Sequence, residues 1–309
     1  MDFNTQLTLF STRFLGIFIE AVSFLLLGTL VSGLIEVFVR KEDIARFMPR
    51  NPFVAIAAGS FLGFLFPVCE CGVVPVTRKL YQKGLPVSVG VTFLLAAPVM
   101  NPIVFASTYA AFGFGPILIG RFAITFVMAV AVGALFSLER SPIKLLQPRA
   151  LLAMAGGSGM AAPQPRTPQL GFLQSLMRAA RVATGEFFDM GRYLVLGTAL
   201  AAGMQTFFSQ EQIRALASNP SMSAVAMAIM AFVLSICSTT DAILALSFAN
   251  FGFPSGSLLT FLTFGPMVDI KATLMYLSIF KRRIVIYMVI LPLLMSLLFG
   301  IFINLNVRL

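Results

Sequence analysis

Two thiols flank a carboxylate at Cys69-Glu70-Cys71, with Gly72 next and Pro67 and Pro75 on either side. Thiolates are soft ligands for metalloids and soft metals. In extended backbone, residues i and i+2 project to one side, so both thiols are expected to face one ligand. Glu70 would add a charged ligand or carry a proton. Two prolines and a glycine across residues 67–75 are expected to keep this run from continuing a helix. The competing reading is packing alone, because most free cysteines behave as small buried hydrophobes.

The pattern returns later in the chain. A shift of 168 positions places Cys69 on Cys237, at the head of Cys237-Ser238-Thr239-Thr240-Asp241. Hydroxyls replace Glu70, Cys71 and Gly72, and Asp241 can carry a proton or face a cation. The same shift places Asn51-Pro52 on Asn219-Pro220, Gly84 on Gly252, Pro86 on Pro254, Pro98 on Pro266 and Asn101 on Asp269. A slip of one more residue aligns Gly28-Thr29 with Gly197-Thr198 and Glu20 with Asp189. Prolines inside apolar stretches free backbone groups that discontinuous helices use to hold substrate or ions. Asn101 and Asp269 are the polar side chains at such breaks. For Asn101 a locally satisfied kink is an equal reading. Lys271 is the nearest partner of Asp269 in sequence, although i and i+2 do not face each other on a helix. Arg192, three residues beyond Asp189, suggests a structural ion pair there.

The elements that must position these residues are membrane helices. The 309 residues are 58% hydrophobic and 11% charged, with a mean hydropathy of +0.93, whereas soluble domains carry about 25% charged residues. Apolar stretches fall at 12–39, 52–76, 85–111, 116–138, 185–208, 221–248, 252–280 and 284–305. Their lengths exclude a barrel, whose strands alternate polarity every second residue. An ionisable residue inside such a segment costs at least ~2.5 kcal/mol on insertion scales and is a functional candidate by default. The net charge of +10 is read as cytoplasmic loop charge rather than nucleic-acid binding. Histidine is absent, so a proton relay must use Asp, Glu, Lys or Cys. Three cysteines are too few for a disulfide scaffold. No phosphate loop, dinucleotide fingerprint or signal peptide is found, and no cofactor is implied.

Loop charge sets the expected topology. Arg40, Lys41, Arg46 and Arg50 make one basic loop, and Arg78, Lys79 and Lys83 another. The equivalent loops of the second half carry little charge, while Lys281-Arg282-Arg283 matches the uncharged junction at 112–116. Opposite bias at equivalent loops implies halves inserted upside down relative to each other. Both ends of 52–76 lie on the basic side, so it is expected to enter and return as a re-entrant hairpin, and 221–248 to do so from the other face. The alternative is parallel repeats with four crossings each.

The expected fold is therefore an all-α polytopic membrane protein with two inverted repeats. Each has about three transmembrane helices, a re-entrant hairpin and proline-broken helices. Repeat 1 is 1–138, a cytoplasmic linker follows at 139–184 with a flexible Gly/Pro-rich segment at 155–169, and repeat 2 is 185–309. Cys69, Glu70, Cys71, Gly72, Asn101, Cys237, Thr239 and Asp241 are expected to meet the substrate. Glu70, Asp241 and Asp269 are the expected coupling residues, and Cys69, Cys71 and Cys237 the candidate metal ligands.

At these residues the chain resembles a known family. FPVCECGVVPVTRKL, LPVSVGVTFLLAAPVMNPIV, CSTTDAILALSF and FLTFGPMVDIK look like the predicted permease family that includes the YraQ-type permeases and the organoarsenical efflux permease. The resemblance covers roughly 15–138 and 185–305. It implies a multi-pass transporter of the bacterial inner membrane that exports a small soft or thiol-reactive solute. Metalloid, metal and sulfur compounds fit the thiols equally well. Two other functions stay open: a thiol-disulfide oxidoreductase passing reducing equivalents between Cys69 and Cys237, and an assembly subunit without flux of its own.

Overall fold

The computed structural model describes residues 3–49, 51–65, 68–138, 172–207 and 219–306, and the described residues are helical throughout their regular structure. The first half runs α1 (Phe3–Phe38), α2 (Lys41–Phe47), α3 (Pro52–Leu65), α4 (Glu70–Gln82), α5 (Val87–Ala96), α6 (Pro102–Phe112) and α7 (Pro116–Ser137). The second runs α8 (Phe172–Phe207), α9 (Pro220–Leu234), α10 (Asp241–Asn250), α11 (Ser255–Met267), α12 (Ile270–Tyr276) and α13 (Arg282–Asn306). The Gly/Pro-rich segment at 155–169 lies outside the described residues.

Local chemistry sets these boundaries in matched pairs. Pro52, Pro102, Pro116 and Pro220 open their helices, because a first-turn proline lacks only an N–H that would be unpaired anyway. Shifted by 168, the starts of α3, α5 and α6 fall on those of α9, α11 and α12. Shifted by 169, the long helix α1 falls on the long helix α8. Gly84 and Gly252 take the left-handed backbone, φ +97° and +85°, at equivalent turns where a side chain would be strained. Pro86 and Pro254 then cap α5 and α11.

Among the described residues four spans are long and apolar enough to cross a membrane: Asn4–Phe38, Pro116–Ser137, Ser255–Tyr276 and Arg282–Asn306. The other apolar helices, α8 apart, are short. The 14 residues of α3 rise about 21 Å at 1.5 Å each, less than the roughly 30 Å of a bilayer core. In contrast, α8 extends further than its apolar stretch. Residues 172–184, expected in the linker, form its first turns, since that stretch contains no proline and hydropathy alone hides an amphipathic start.

Packing repeats as well. Within the first half α5 packs on α3, α7 and α4; within the second, α11 packs on α9, α13 and α10. The halves exchange contacts reciprocally, α4 against α12 and α6 against α10. The exception is the pair of long helices. They pack along each other and onto one side, α1 over α4 and α8 over α12.

Candidate functional site

The site forms where α4 and α12 begin. Cys69 is the extended residue before α4, with φ −78° and ψ 179°. Its carbonyl accepts from the N–H groups of Gly72 and Val73, each at 3.0 Å. Contrary to the sequence expectation, only the stretch before Glu70 is unwound, and α4 continues through Gly72 and Pro75. A proline here removes one N–H bond without blocking the helix, leaving the Cys71 carbonyl without its i+4 donor. The thiols of Cys69 and Cys71 still lie near enough to act on each other. They do so across the first turn of a helix rather than along a strand. Phe66 and Pro67, the first part of the expected break, lie outside the described residues.

Asp269 caps α12 from extended backbone, φ −129° and ψ −179°. Its Oδ1 accepts from the Ala272 N–H at 2.6 Å. Because Asp269 stands outside the helix, the facing rule for helical residues does not apply to it, and Lys271 reaches back to its Oδ2 at 3.5 Å. The Lys271 ammonium lies 3.5 Å from Glu70 Oε1 and donates to the Ser235 carbonyl at 2.7 Å. Ser235 ends α9 in the left-handed region, φ +48°, a costly conformation for a residue with a Cβ. That turn aims its carbonyl at Lys271.

One ammonium therefore joins two carboxylates, one from each half of the chain, and all three side chains are buried. Each contact at 3.5 Å is worth about 5 kcal/mol of Coulomb attraction at an effective dielectric near 20. Desolvation opposes this by several kcal/mol per ion. The second oxygen of Glu70 and Oδ2 of Asp269 have no hydrogen-bond donor among the described residues. Two acids against one base leave room for a proton or another cation.

Cys237 lies within Coulomb range of Glu70 and is buried. The half-buried Thr239 points its hydroxyl at the Cys237 sulfur, 3.5 Å away. All three cysteines are free and buried. No three Cys, Asp or Glu side chains gather as a metal-ligand set among the described residues. Two glycines let the long helices press against the site. A Cβ on Gly28 would strike the Gly72 backbone, and one on Gly197 would sit 2.9 Å from Lys271 Cα.

The other expected residues are placed elsewhere. Asn101 caps α6 and accepts from the Ile103 N–H at 2.9 Å, so its side-chain oxygen is engaged locally. Asp241 pairs with Arg121, not Lys271, at 2.7 Å. Arg121 was missed in the sequence; the available signal was one arginine inside the apolar stretch 116–138. Asp189 binds Arg192 and also Arg78, each at 2.8 Å. Glu186 takes Arg78 at 3.4 Å and Lys79 at 3.3 Å, which ties the end of α4 to α8. In the turn after α4, burial lowers the pKa of Lys83 while Glu36 raises it.

Comparison with known proteins shows the family. The family model described as predicted permease (ArsP_1) matches residues 6–305. The chain is 42% identical over 277 residues to the UPF0718 protein YcgR of Bacillus subtilis (strain 168), covering 89% of this chain and 90% of the other. It is 34% identical over 280 residues to a Streptococcus mutans protein named "Putative two-component membrane permease complex subunit", covering 89% and 88%. A more distant match is the UPF0718 protein MJ0584 of Methanocaldococcus jannaschii, 23% identical over 211 residues, covering 63% and 57%. No solved structure matches.

Proposed function

Because this chain belongs to the predicted permease family, a multi-pass membrane family, we propose that it is a secondary permease whose solute passes between its two halves. The reading extends to an exporter of a small soft or thiol-reactive solute, driven by an ion gradient, in the bacterial inner membrane. The observation that carries it is the Glu70–Lys271–Asp269 cluster. An ion network built from both halves at the ends of broken helices is how transporters of this architecture hold substrate and coupling ion.

Roles follow from position. Cys69 and Cys71 present paired sulfurs at the start of α4, and Gly72 next to them lets α1 pack close. Cys237 and Thr239 approach from the second half. Glu70 and Asp269 share one ammonium, so a proton on either releases Lys271 toward the other. That is a coupling device, and Asp241 against Arg121 provides a second. Asn101 fixes the start of α6. A metal or metalloid ion is substrate in this scheme, and the three thiols meet it only as the halves move.

Matched helix boundaries support two repeats, 1–138 and 185–309, and opposed loop charge supports their inversion, with α3/α4 and α9/α10 as re-entrant hairpins. The thiol-exchange alternative leaves Glu70, Lys271 and Asp269 unexplained. The name of the Streptococcus relative favours a second reading, in which flux needs a partner subunit.

The test is flux in proteoliposomes, with trivalent metalloids, thiol compounds and small organic acids, with and without a proton gradient. Wild type is expected to move one class, and Cys69→Ser/Cys71→Ser to lose at least about tenfold, the cost of a soft-ligand contact worth ~1.4 kcal/mol. Equal flux in both would reduce the thiols to packing. Absence of flux for every solute, with or without a co-reconstituted partner, would reject the permease reading.

A further inference from the structure

A groove lies away from the cysteines, where α1 ends and the chain turns into α2. Ile35 and Phe38 of α1, Ile44 of α2, Leu62 of α3, Leu80 of α4 and Val89 of α5 all contribute to its lining, and its volume is about 510 Å³. Every lining residue except Asp43 is apolar. The sequence sets this up locally. The apolar span of α1 runs to Phe38, and α2 follows at Lys41 with only seven residues. Ile44 and Met48, four apart, share the side of the chain that lines the groove, while Lys41, Glu42 and Arg46 are exposed. Phe38 is 51% exposed and Ala58 is exposed, so the groove opens outward.

Its rim is basic. Arg40 and Lys41, next to the lining residue Val39, are exposed, as is Arg178 on α8, and none of the three makes an ion pair among the described residues. Lys83 stands between the lining residues Leu80 and Leu85. It donates to the Glu36 carbonyl at 2.7 Å and shares the Glu36 carboxylate with Lys79, at 3.8 and 3.9 Å. Lys79, Arg178 and Lys41 all repel the Lys83 ammonium, while Glu36 attracts it. The nearby acids are already engaged. Asp43 accepts from the Arg40 N–H at 3.0 Å, and Glu186 holds Arg78 and Lys79. Glu42 stands four residues before Arg46 on α2. The rim therefore carries surplus positive charge beside an apolar slot.

We propose that this groove binds an anionic phospholipid, with one acyl chain along the groove and the phosphate headgroup against Arg40, Lys41 and Lys83. The order of chemistry along the groove matches that molecule: apolar wall at the end of a membrane span, then a cluster of cations. A lipid without net charge fills the slot but leaves the rim unsatisfied. Free phosphate meets the rim but leaves the slot empty. Basic residues beside a membrane span read anionic lipid through charge, and each buried methylene of the chain adds to the binding. The loop charge that favours the cytoplasmic side also sets this rim at the leaflet with the negative surface potential. An occupied groove joins α1, α2 and α3 to the end of α4, the helix that begins at Glu70. The inference stands apart from the permease reading, because binding is measured without flux.

The experiment is native mass spectrometry of the detergent-purified full chain, titrated with phosphatidylglycerol and with phosphatidylcholine of identical acyl chains. Wild type is expected to hold phosphatidylglycerol at least about tenfold more tightly, since each cation at the rim contributes roughly fivefold. Arg40→Gln/Lys41→Gln breaks no ion pair and should lose most of that preference. Ala58→Trp fills the groove from its open side and should weaken both lipids alike. Arg282→Gln/Arg283→Gln, an exposed basic pair at the start of α13, should bind as wild type does. Inorganic phosphate at the same concentration should not displace the lipid. Equal retention of the two lipids by wild type, an unchanged preference in Arg40→Gln/Lys41→Gln, or an equal loss in Arg282→Gln/Arg283→Gln would overturn the proposal. So would wild-type binding by Ala58→Trp or displacement by phosphate, either of which would place the lipid chain outside the groove.

Discussion

Lys271→Met is expected to prevent accumulation of folded protein, while Glu70→Gln leaves the fold intact and abolishes transport. Without Lys271, Glu70 and Asp269 lose the only ammonium within ion-pair distance among the described residues, and breaking a buried pair from one side costs about 3–5 kcal/mol. Two buried acids raise that cost, so melting in detergent should fall well below wild type. Adding Glu70→Gln to Lys271→Met should recover part of the loss, because Asp269 keeps its bond to the Ala272 amide and its place at a helix start. Glu70→Gln alone leaves Lys271 held by Asp269 and the Ser235 carbonyl. The protein then folds, but the first half no longer offers a carboxylate to the shared ammonium. Wild-type melting of Lys271→Met, or wild-type flux in Glu70→Gln, would remove the cluster from the mechanism.

Gly28→Leu and Gly197→Leu are expected to bring flux to background without replacing an ionisable residue. Both positions press a long helix onto the residues that hold the site. A side chain on Gly28 meets the Gly72 backbone, and one on Gly197 meets Lys271. Backbone cannot swing aside as a flexible side chain does, so overpacking of about 1–3 kcal/mol per site is the minimum, and α1 or α8 must lift away. Gly16 and Gly185 lie on the same two helices with nothing within 4 Å of a built Cβ. Gly16→Leu and Gly185→Leu should therefore keep full flux. Flux and melting measured on the four variants decide it, and equal loss in all four would show a general effect of bulk on these helices.

Much of the fold was legible because proline, glycine and asparagine fix helix ends locally. Pro52 and Pro220, Gly84 and Gly252, and Asn101 and Asp269 mark the same boundaries in both halves. Residues whose role depends on distant partners were harder to read. Pro67, Gly72 and Pro75 together suggest unwound backbone, yet α4 contains Pro75, at the cost of one backbone bond and of crowding against the Cys71 carbonyl. Lys271 is the nearest partner of Asp269 in sequence, and the facing rule that speaks against the pair holds only within a helix, which Asp269 stands outside. Arg121 was lost among apolar neighbours, since nothing local shows that α10 brings Asp241 to it. The start of α8 was missed because an amphipathic turn reads as loop on a hydropathy scale.

The permease mechanism depends on two halves that enter the bilayer from opposite faces. The most direct measurement places single cysteines at Gln82 and Asn250, which are 168 positions apart and end α4 and α10, in a chain whose native cysteines are replaced by serine. An impermeant maleimide is then applied to intact cells and to inside-out vesicles. Inverted halves predict labelling of Gln82→Cys from the cytoplasmic face only and of Asn250→Cys from the outer face only. Labelling of both from one face would contradict it, because equivalent turns of inverted halves lie on opposite faces of the membrane.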